Sequence, residues 1–526
     1  MDATTQSQAL ASFVQTMTER MTTLARTLGA WVQAEARTLQ EQEEPVVRQL
    51  HELGSALLAG LLNVASSRAA PSVVCPCGAQ ARYRRMRQAT VTTLLGDLTY
   101  TRATYNCASC HQGHAPLDQQ LQVAAGSLSI GLQELLALLG ATQTWFADAA
   151  AVLERLCLVR VCPNTVRSAS EEVGAILVHH TQEAAQEAAS SAQEVAELGA
   201  IQPSTPARLY VSMDGVVVQC RSTGWRETKA GCVYTTRASR SRRAPYQRTL
   251  RMEQPSYTAA LAEAEAFGWH LYAEAKRRGV ALADEVIVIG DGAHWIWNIA
   301  DQLFPGATQI VDWYHASQYV WNAATAIQGD GTAARSEWAQ QQLDALWEGG
   351  VADVLLELQA HARQGGAVEE AVSYYTTQRN RMDYPAYRAR DLQIGSGTIE
   401  STCKQLVSAR LKQAGMIWSE AGANALVAVR GWLKSGRWSE AMALRPAARR
   451  SYRRVRPHSV AKKEEEAAQQ EVAVEAALRQ PATGLPSEVV ARVRAELAHE
   501  QATHPWRKAW SRRQQRAQHA QKLARS

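Results

Sequence analysis

Three carboxylates stand where chemistry would need them. Asp214 interrupts the near-continuous apolar run 209–218. A lone carboxylate in a buried strand is expensive to desolvate unless something pairs with it. Asp291 closes a second apolar run, 286–289, within Gly290-Asp291-Gly292. Glu400 precedes a helical stripe of Cys403, Leu406, Val407 and Leu411. Brought together, three carboxylates from separate elements make an oxygen-rich site for Mg2+ (or Mn2+). Two such ions about 4 Å apart activate a nucleophile on one side of a phosphodiester and stabilise the leaving oxygen on the other. Plainer readings stand beside this one. Asp214 and Asp291 each adjoin a glycine and can simply form turns. Glu400 and Lys404 can be an i,i+4 ion pair worth about 0.5 kcal/mol.

A second constellation is built from sulfur. Nine Cys are spread over 526 residues behind a polar start, Met1-Asp2-Ala3-Thr4-Thr5. This usage reads as a reducing cytoplasm rather than a disulfide framework. Four are paired, as Cys75-Pro76-Cys77 and Cys107-Ala108-Ser109-Cys110, with strand-like sequence at 90–95 and 98–101 between them. Two knuckles closing a small β unit make a zinc-ribbon-like pattern, because Zn2+ takes four soft ligands in a tetrahedron. The first knuckle is C-x-C, one residue short. That leaves His111 and His114 as substitute ligands, and a degenerate knuckle with bare thiols as the other reading. Cys157, Cys162, Cys220, Cys232 and Cys403 lie in apolar segments and read as core.

The elements that must position these groups divide the chain into five. Residues 1–70 are helical, with Phe13, Met17, Met21, Leu24 and Leu28 at 3–4 spacing. They read as packing helices, or as a surface that pairs with another copy. Residues 71–120 hold the Cys-paired β unit. Residues 121–204 are helical and contain a helix-turn-helix pattern. Ala149, Val152, Leu153 and Leu156 line its first helix, 158–162 is the turn, and Pro163 opens the second helix. Val166, Ala169 and Val173 then face inward, and Gly174 is placed to stop the helix. Asn164, Thr165, Arg167 and Ser168 point outward, toward a DNA major groove. Residues 205–440 change texture. Strands at 209–218, 286–290 and 307–312 lack polar alternation and are separated by helices at 256–278 and 293–303. That indicates an α/β sheet covered on both faces, with an all-helical insertion at about 316–390. Residues 441–526 form a basic tail. The whole predicts a multidomain α+β protein.

Charge points to a polyanion. The net charge is +6, and the clustering matters more than the total. Six Arg lie between Arg237 and Arg251 without an acid, Arg240, Arg242 and Arg243 among them. This segment predicts a basic loop or hairpin near Asp214. Lys404, Arg410 and Lys412 follow Glu400. Such clusters suit DNA phosphates. No run of 18 apolar residues exists, which excludes a helical membrane span. No P-loop motif is present.

Two long strings then acquire a family. Gly290-Asp291-Gly292-Ala293-His294-Trp295-Ile296-Trp297, with Phe304-Pro305-Gly306-Ala307 and Ile310-Val311-Asp312-Trp313-Tyr314-His315-Ala316, resembles bacterial insertion-sequence transposases of the ISKra group. So does Ile394-Gly395-Ser396-Gly397-Thr398-Ile399-Glu400-Ser401-Thr402-Cys403-Lys404, continuing through 410–419. The likeness covers roughly residues 70–440. It implies an RNase H-like DDE catalytic core, distantly Mutator-like. It implies Asp214, Asp291 and Glu400 as the metal-binding acids, 77 and 109 residues apart. Asp312 and His315 match an accessory D/C-x-x-H motif, and Asp312 is the alternative second ligand. The activity implied is metal-dependent cleavage at element ends and strand transfer into target DNA. The partners implied are both DNAs and a dimer or higher oligomer on them, in the cytoplasm at the nucleoid. Two rivals remain: a DNA-binding protein without chemistry, and an RNase H-like nuclease that cuts without joining.

Overall fold

The protein was analysed as a computed structural model, which describes residues 3–34, 36, 38–66, 69–123, 127–191, 208–240, 248–395 and 397–444. The expected basic tail beyond 444 lies outside them.

Helices α1 (Ala3–Ala34) and α2 (Leu39–Ser66) form an antiparallel pair. Thr38 and Glu41 make a reciprocal cap at the start of α2: the Glu41 N–H donates to Thr38 Oγ1 at 3.3 Å, and the Thr38 N–H donates to Glu41 Oε2 at 2.8 Å. Phe13, Met17, Leu24 and Leu28 are half-buried as the spacing predicts, but Met21 is exposed.

Strands β1 (Ser72–Val74), β2 (Gln80–Thr93), β3 (Gly96–Cys107) and β4 (Gly113–His114) form an antiparallel sheet in that order. The two short strands foreseen at 90–95 and 98–101 are the tip of this longer β2–β3 hairpin. Leu58 and Leu62 of α2 pack on its buried Ala89, Val91, Leu98 and Tyr100. A short helix, α3 (Pro116–Gln120), follows.

Helices α4 (Ile130–Thr142), α5 (Phe146–Cys157) and α6 (Pro163–Ser191) come next. Ala149, Leu153, Val166 and Ala169 are buried in one cluster with Leu132 and Leu136, so the helix-turn-helix packing is present. Two of its details differ. Leu156 is exposed, because α5 packs through Ala149, Ala150 and Leu153, with Phe146 and Cys157 at its ends, and Leu156 lies off that face. Gly174 does not stop the second helix, which runs on to Ser191. A Cβ there would collide with the backbone carbonyl of Ala425, so this glycine permits a close helix crossing.

The second sheet holds β5 (Arg208–Cys220), β6 (Gly224–Arg240), β7 (Arg248–Ala260), β8 (Glu285–Gly290) and β9 (Thr308–Val311). Their order is β7-β6-β5-β8-β9. The first three strands are mutually antiparallel, whereas β8 runs parallel to β5 and β9 parallel to β8. Helices α7 (Ala264–Arg277) and α8 (His294–Leu303) accompany them. The helix expected from 256 begins only at Ala264, because residues up to Ala260 pair with β6. The sheet is covered on both faces. Gly231 faces Phe267 and Leu271 of α7, while Cys232, pointing the other way, meets Thr402.

The insertion is helical as expected: α9 (Trp313–Gln328), α10 (Ala333–Trp347), α11 (Val351–Ala360), α12 (Gly366–Gln378) and α13 (Tyr384–Ala389). Beyond it, α14 (Gly397–Cys403) passes through a π turn (Lys404–Ser408) into α15 (Ala409–Leu411). Helices α16 (Glu420–Lys434) and α17 (Trp438–Ala443) close the described chain. The result is a mixed α+β protein with two sheets. No helix among the described residues is long and apolar enough to cross a membrane.

The arginine-rich segment is a hairpin, but it is not near Asp214. Arg237 pairs with Arg251 and Arg240 with Arg248 across β6 and β7. Asp214 pairs with Ala230, ten residues earlier on β6. Ten residues of strand span about 33 Å. The hairpin therefore extends past the amino end of β5, away from Asp214. Arg242, Arg243 and the side chain of Arg240 lie outside the described residues.

Candidate active site

The parallel strands align the acids. On β5 and β8, Arg208 pairs with Glu285 and Ser212 with Ile289. Carried two residues further, this register sets Asp214 beside Asp291. On β8 and β9, Gly290 pairs with Val311, and the Asp312 N–H donates to the Gly290 carbonyl at 2.8 Å. Asp214, Asp291 and Asp312 thus leave three adjacent strands at one level, with neighbouring strands about 4.8 Å apart.

Each carboxylate is fixed by local backbone. Asp214 Oδ1 accepts the Gly215 N–H at 2.7 Å, and Asp291 Oδ1 accepts the Ala293 N–H at 2.8 Å. Asp312 is the N-cap of α9 and is fully buried. Its Oδ2 accepts the His315 N–H at 3.1 Å and lies 2.6 Å from His315 Nδ1. On the first turn of a helix, i and i+3 share a face, so one carboxylate caps the helix and holds the imidazole.

The charges of these groups act on one another. Burial pushes the Asp214 carboxyl above its ordinary range; the Gly215 N–H pulls it back, and the charge of Asp291 raises it again. The Asp312 hydrogen bond raises His315 against its burial, and Asp291 and Asp214 add to the effect. Cys403, read from sequence as core, is buried with its thiol against Asp214. Burial and then Asp214 itself push that thiol up.

Helix α12 of the insertion grips the Asp291 turn. Tyr374 Oη donates to the Asp291 carbonyl at 2.6 Å, and Gln378 Nε2 donates to the Gly292 carbonyl at 2.9 Å. Tyr319 of α9 stacks on Tyr374 with centroids 3.9 Å apart. Gly292 has φ +112°, and a Cβ there would lie 2.5 Å from the Tyr374 ring. No local signal in the sequence marks Tyr374 or Gln378, which lie 83 and 86 residues from their acceptors.

Glu400 is not with the other acids. Ile399, Thr402 and Cys403 turn the buried side of α14 to the sheet. The Glu400 side chain is 71% exposed and lies 3.9 Å from Lys404. Asp214, Asp291 and Glu400 therefore do not form one ligand cluster.

Sulfur does form one. The ligand atoms of Cys75, Cys77, Cys107 and Cys110 all lie within 4.8 Å of one another, the one such group of His, Cys, Asp or Glu among the described residues. Sγ–Sγ separations are 3.3 Å for Cys75–Cys77, 3.5 Å for Cys75–Cys110 and 3.6 Å for Cys77–Cys107. Four sulfurs around Zn2+ at about 2.3 Å stand about 3.8 Å apart. The short C-x-C knuckle still closes, because the Gly78 N–H turns back to the Cys75 carbonyl at 2.8 Å. The Cys110 N–H outweighs burial, which acts the other way, and with the Ser109 N–H holds the Cys107 thiol down to about 6. His114 Nε2 lies 3.0 Å from Cys75 Sγ, beside the quartet. This group can hold a metal ion.

The model of the Uncharacterised protein family UPF0236 matches residues 33–444. The chain belongs to UPF0236. The match takes in both the sulfur quartet and the row of acids. No curated protein matches this UPF0236 chain.

The residues expected to touch DNA fare unequally. Asn164, Lys404 and Lys412 are exposed, and Thr165 and Arg167 half-buried. Arg410 cannot serve. It is 1% exposed, its Nε donates to the Gly140 carbonyl at 2.8 Å, and its guanidinium lies against the Phe146 and Trp418 rings. Burial, then the neighbouring Arg430, pulls it down to about 10. Gly140 belongs to the last turn of α4, whose free carbonyls attract a cation.

Proposed function

We propose that this UPF0236 chain is a DNA transposase of the ISKra type. It cuts at insertion-sequence ends and joins them to target DNA. The observation that carries the reading is the alignment of Asp214, Asp291 and Asp312 across β5, β8 and β9. The strand order supports an RNase H-like core, in which three antiparallel strands precede two parallel ones and the acids sit on the central strands.

The residues fit a divalent cation in part. Asp214 and Asp291 are two crowded carboxylates, one largely buried, and a cation between them relieves both burial and repulsion. Asp312 is already matched by His315. Asp214 and Asp291 would therefore hold Mg2+ or Mn2+, which when bound supplies Lewis-acid polarisation of a phosphodiester. His315, whose protonated form Asp312 favours, would in that form offer positive charge to a phosphate oxygen. Glu400 completes the proposed triad only after α14 turns. It lies one helical turn before Cys403, the residue already against Asp214, and the π turn that follows is a point where helix phase can change. The Cys quartet is proposed as a zinc ribbon that stiffens the β2–β3 hairpin.

Hydrolysis frees a 3′ hydroxyl at each element end. That hydroxyl then attacks the phosphorus of a target phosphodiester, and the P–O bond to the target's 3′ oxygen breaks, so that this oxygen leaves as a 3′ hydroxyl. The test is to incubate the full chain and Mg2+ with DNA from the borders of its own coding region. Joined products are expected, and Asp214→Asn and Asp291→Asn should abolish them while DNA binding persists. Cut but unjoined DNA would identify a nuclease. Binding with neither product would identify a protein without chemistry.

A further inference from the structure

Strand β2 carries a basic surface that none of the proposed functions uses. Residues 82–88 are all exposed and include Arg82, Arg84, Arg85 and Arg87. No carboxylate occurs in Gln80–Thr93. None of the four makes an ion pair with a described residue, whereas Arg102 on the neighbouring strand is held by Asp118 at 2.6 Å. Four unpaired arginines within six positions repel one another. They are suited to an external polyanion.

The register places three of them together. Arg82 lies opposite Asn106, Arg85 opposite Thr104 and Arg87 opposite Arg102. These partners alternate along β3 and so share one face. A bulge between Tyr83 and Arg85 makes this possible, with Arg84 as its extra residue. Without it, Arg82 and Arg85 would point to opposite sides. The other face of the ribbon carries Ala103 and Tyr105, buried with Cys75 and Cys107. The sulfur quartet thus backs the arginine face. Strand β1 pairs with β2 as far as Arg82 and residues 127–129 bridge to Thr92, so between them, from Arg84 to Val91, no further strand flanks the ribbon on that side among the described residues. Tyr83 and Met86, though exposed, lie opposite Tyr105 and Ala103 and so belong to that other face, which leaves the arginine face to the three guanidinium groups.

We propose that the β2–β3 ribbon is a duplex-DNA docking surface, in which Arg82, Arg85 and Arg87 hold the phosphate backbone. A two-stranded ribbon fits the major groove, which is about 12 Å wide. The partner follows from the DNA reading above, but the surface is separate from both the acids and the helix-turn-helix, and its test reads binding.

The test measures anisotropy of a labelled duplex of arbitrary sequence, titrated with the full chain between about 50 and 200 mM salt. Replacing all three arginines by alanine should weaken binding at least about tenfold and reduce the slope of log K against log salt by about 2.7, or 0.9 per phosphate contact. The triple lysine variant should retain the slope. An unchanged slope in an alanine variant of unchanged Tm overturns the proposal, as does tighter binding to single-stranded RNA than to the duplex. A wild-type chain that joins DNA while the alanine variant keeps its slope leaves the transposase reading standing alone. A changed slope in a chain that never cuts or joins leaves the ribbon standing alone.

Discussion

Asp214 and Asp291 lie in register with each other, two residues beyond the last rung of a parallel ladder. Their separation of 77 residues equals the offset between paired residues of β5 and β8, from Arg208 with Glu285 to Ser212 with Ile289. The distance between the two acids in sequence is therefore the register of the sheet. Neither residue can slip by one without turning its carboxylate to the opposite face.

This closeness has a measurable cost. The Asp214 carboxyl is raised in the folded chain by burial and by Asp291. A raised carboxylate favours the protonated native state, so its contribution opposes stability once pH exceeds its ordinary value. Asp214→Asn mimics the protonated form. In metal-free protein at neutral pH it should raise Tm, with the gain shrinking as pH falls toward the ordinary carboxylate range. Thermal melts across that range in a chelating buffer check the sign. A lower Tm at neutral pH would mean that Asp214 is already compensated.

The row of acids was only partly legible beforehand. Apolar runs that end in acid mark buried strands presenting carboxylates, and those strands formed as read. The sequence offers Asp312 as an accessory residue or as the alternative second ligand, and it is the β8–β9 pairing that sets it level with both other acids. The sequence shows the β6–β7 arms only as a basic loop or hairpin and misplaces them beside Asp214, because arginine-rich sequence carries no apolar alternation to reveal the strands or their register. Arg410 was misjudged because its burial depends on Gly140, 270 residues away. The phase of α14 was also beyond reach, since the π turn at Lys404–Ser408 leaves the apolar stripe intact.

Gly292 predicts a steric penalty. Its φ of +112° disfavours any side chain, and an added Cβ would lie 2.5 Å from Tyr374. Gly292→Ala should destabilise the protein by about 2–3 kcal/mol. Tyr374→Phe removes only the 2.6 Å hydrogen bond to the Asp291 carbonyl and should cost about 1 kcal/mol. Urea melts of both variants measure the difference. Equal costs would show that the Asp291 turn relaxes freely around the clash.

Arg410 and Arg430 predict opposite outcomes for similar residues. Arg430 Nε donates to the Leu406 carbonyl at 2.8 Å, and its other nitrogens reach Gln405 and Ala141. It satisfies carbonyls of the π turn, so Arg430→Met should cost about 2–4 kcal/mol. Arg410 lies among rings, and its Nη2 is buried without a hydrogen bond. Arg410→Met keeps the packing and removes a buried charge, so stability should change by less than about 1 kcal/mol or rise. DNA affinity should be unaffected by either. A selective loss of DNA affinity in a stable Arg410→Met protein would restore Arg410 to the DNA surface.

The quartet predicts one zinc per chain. Cys107→Ser should remove it, because that thiol is among the four clustered sulfurs and lies at the base of the β2–β3 hairpin. His114→Ala should retain it, since four sulfurs already complete a tetrahedron. Elemental analysis of the purified chain reads both. Zinc lost with His114 but kept without Cys77 would make the imidazole the fourth ligand and explain the short first knuckle.

Glu400 separates the free protein from its working state. With its side chain 71% exposed and 3.9 Å from Lys404, Glu400→Gln should leave the Tm of the metal-free protein within about 0.5 kcal/mol equivalent. It should also leave Mn2+ binding to the DNA-free chain unchanged, whereas Asp291→Asn should weaken that binding. Strand joining should vanish in both variants if α14 turns Glu400 toward the acids once DNA is bound. Mn2+ titration by electron paramagnetic resonance, run beside the joining assay, reads the two states apart. If Glu400→Gln weakens Mn2+ binding to the free chain as much as Asp291→Asn does, Glu400 already shares the site. If joining survives the substitution, the third acid must be sought elsewhere, with Asp312 on the same level of the sheet as the next residue to replace.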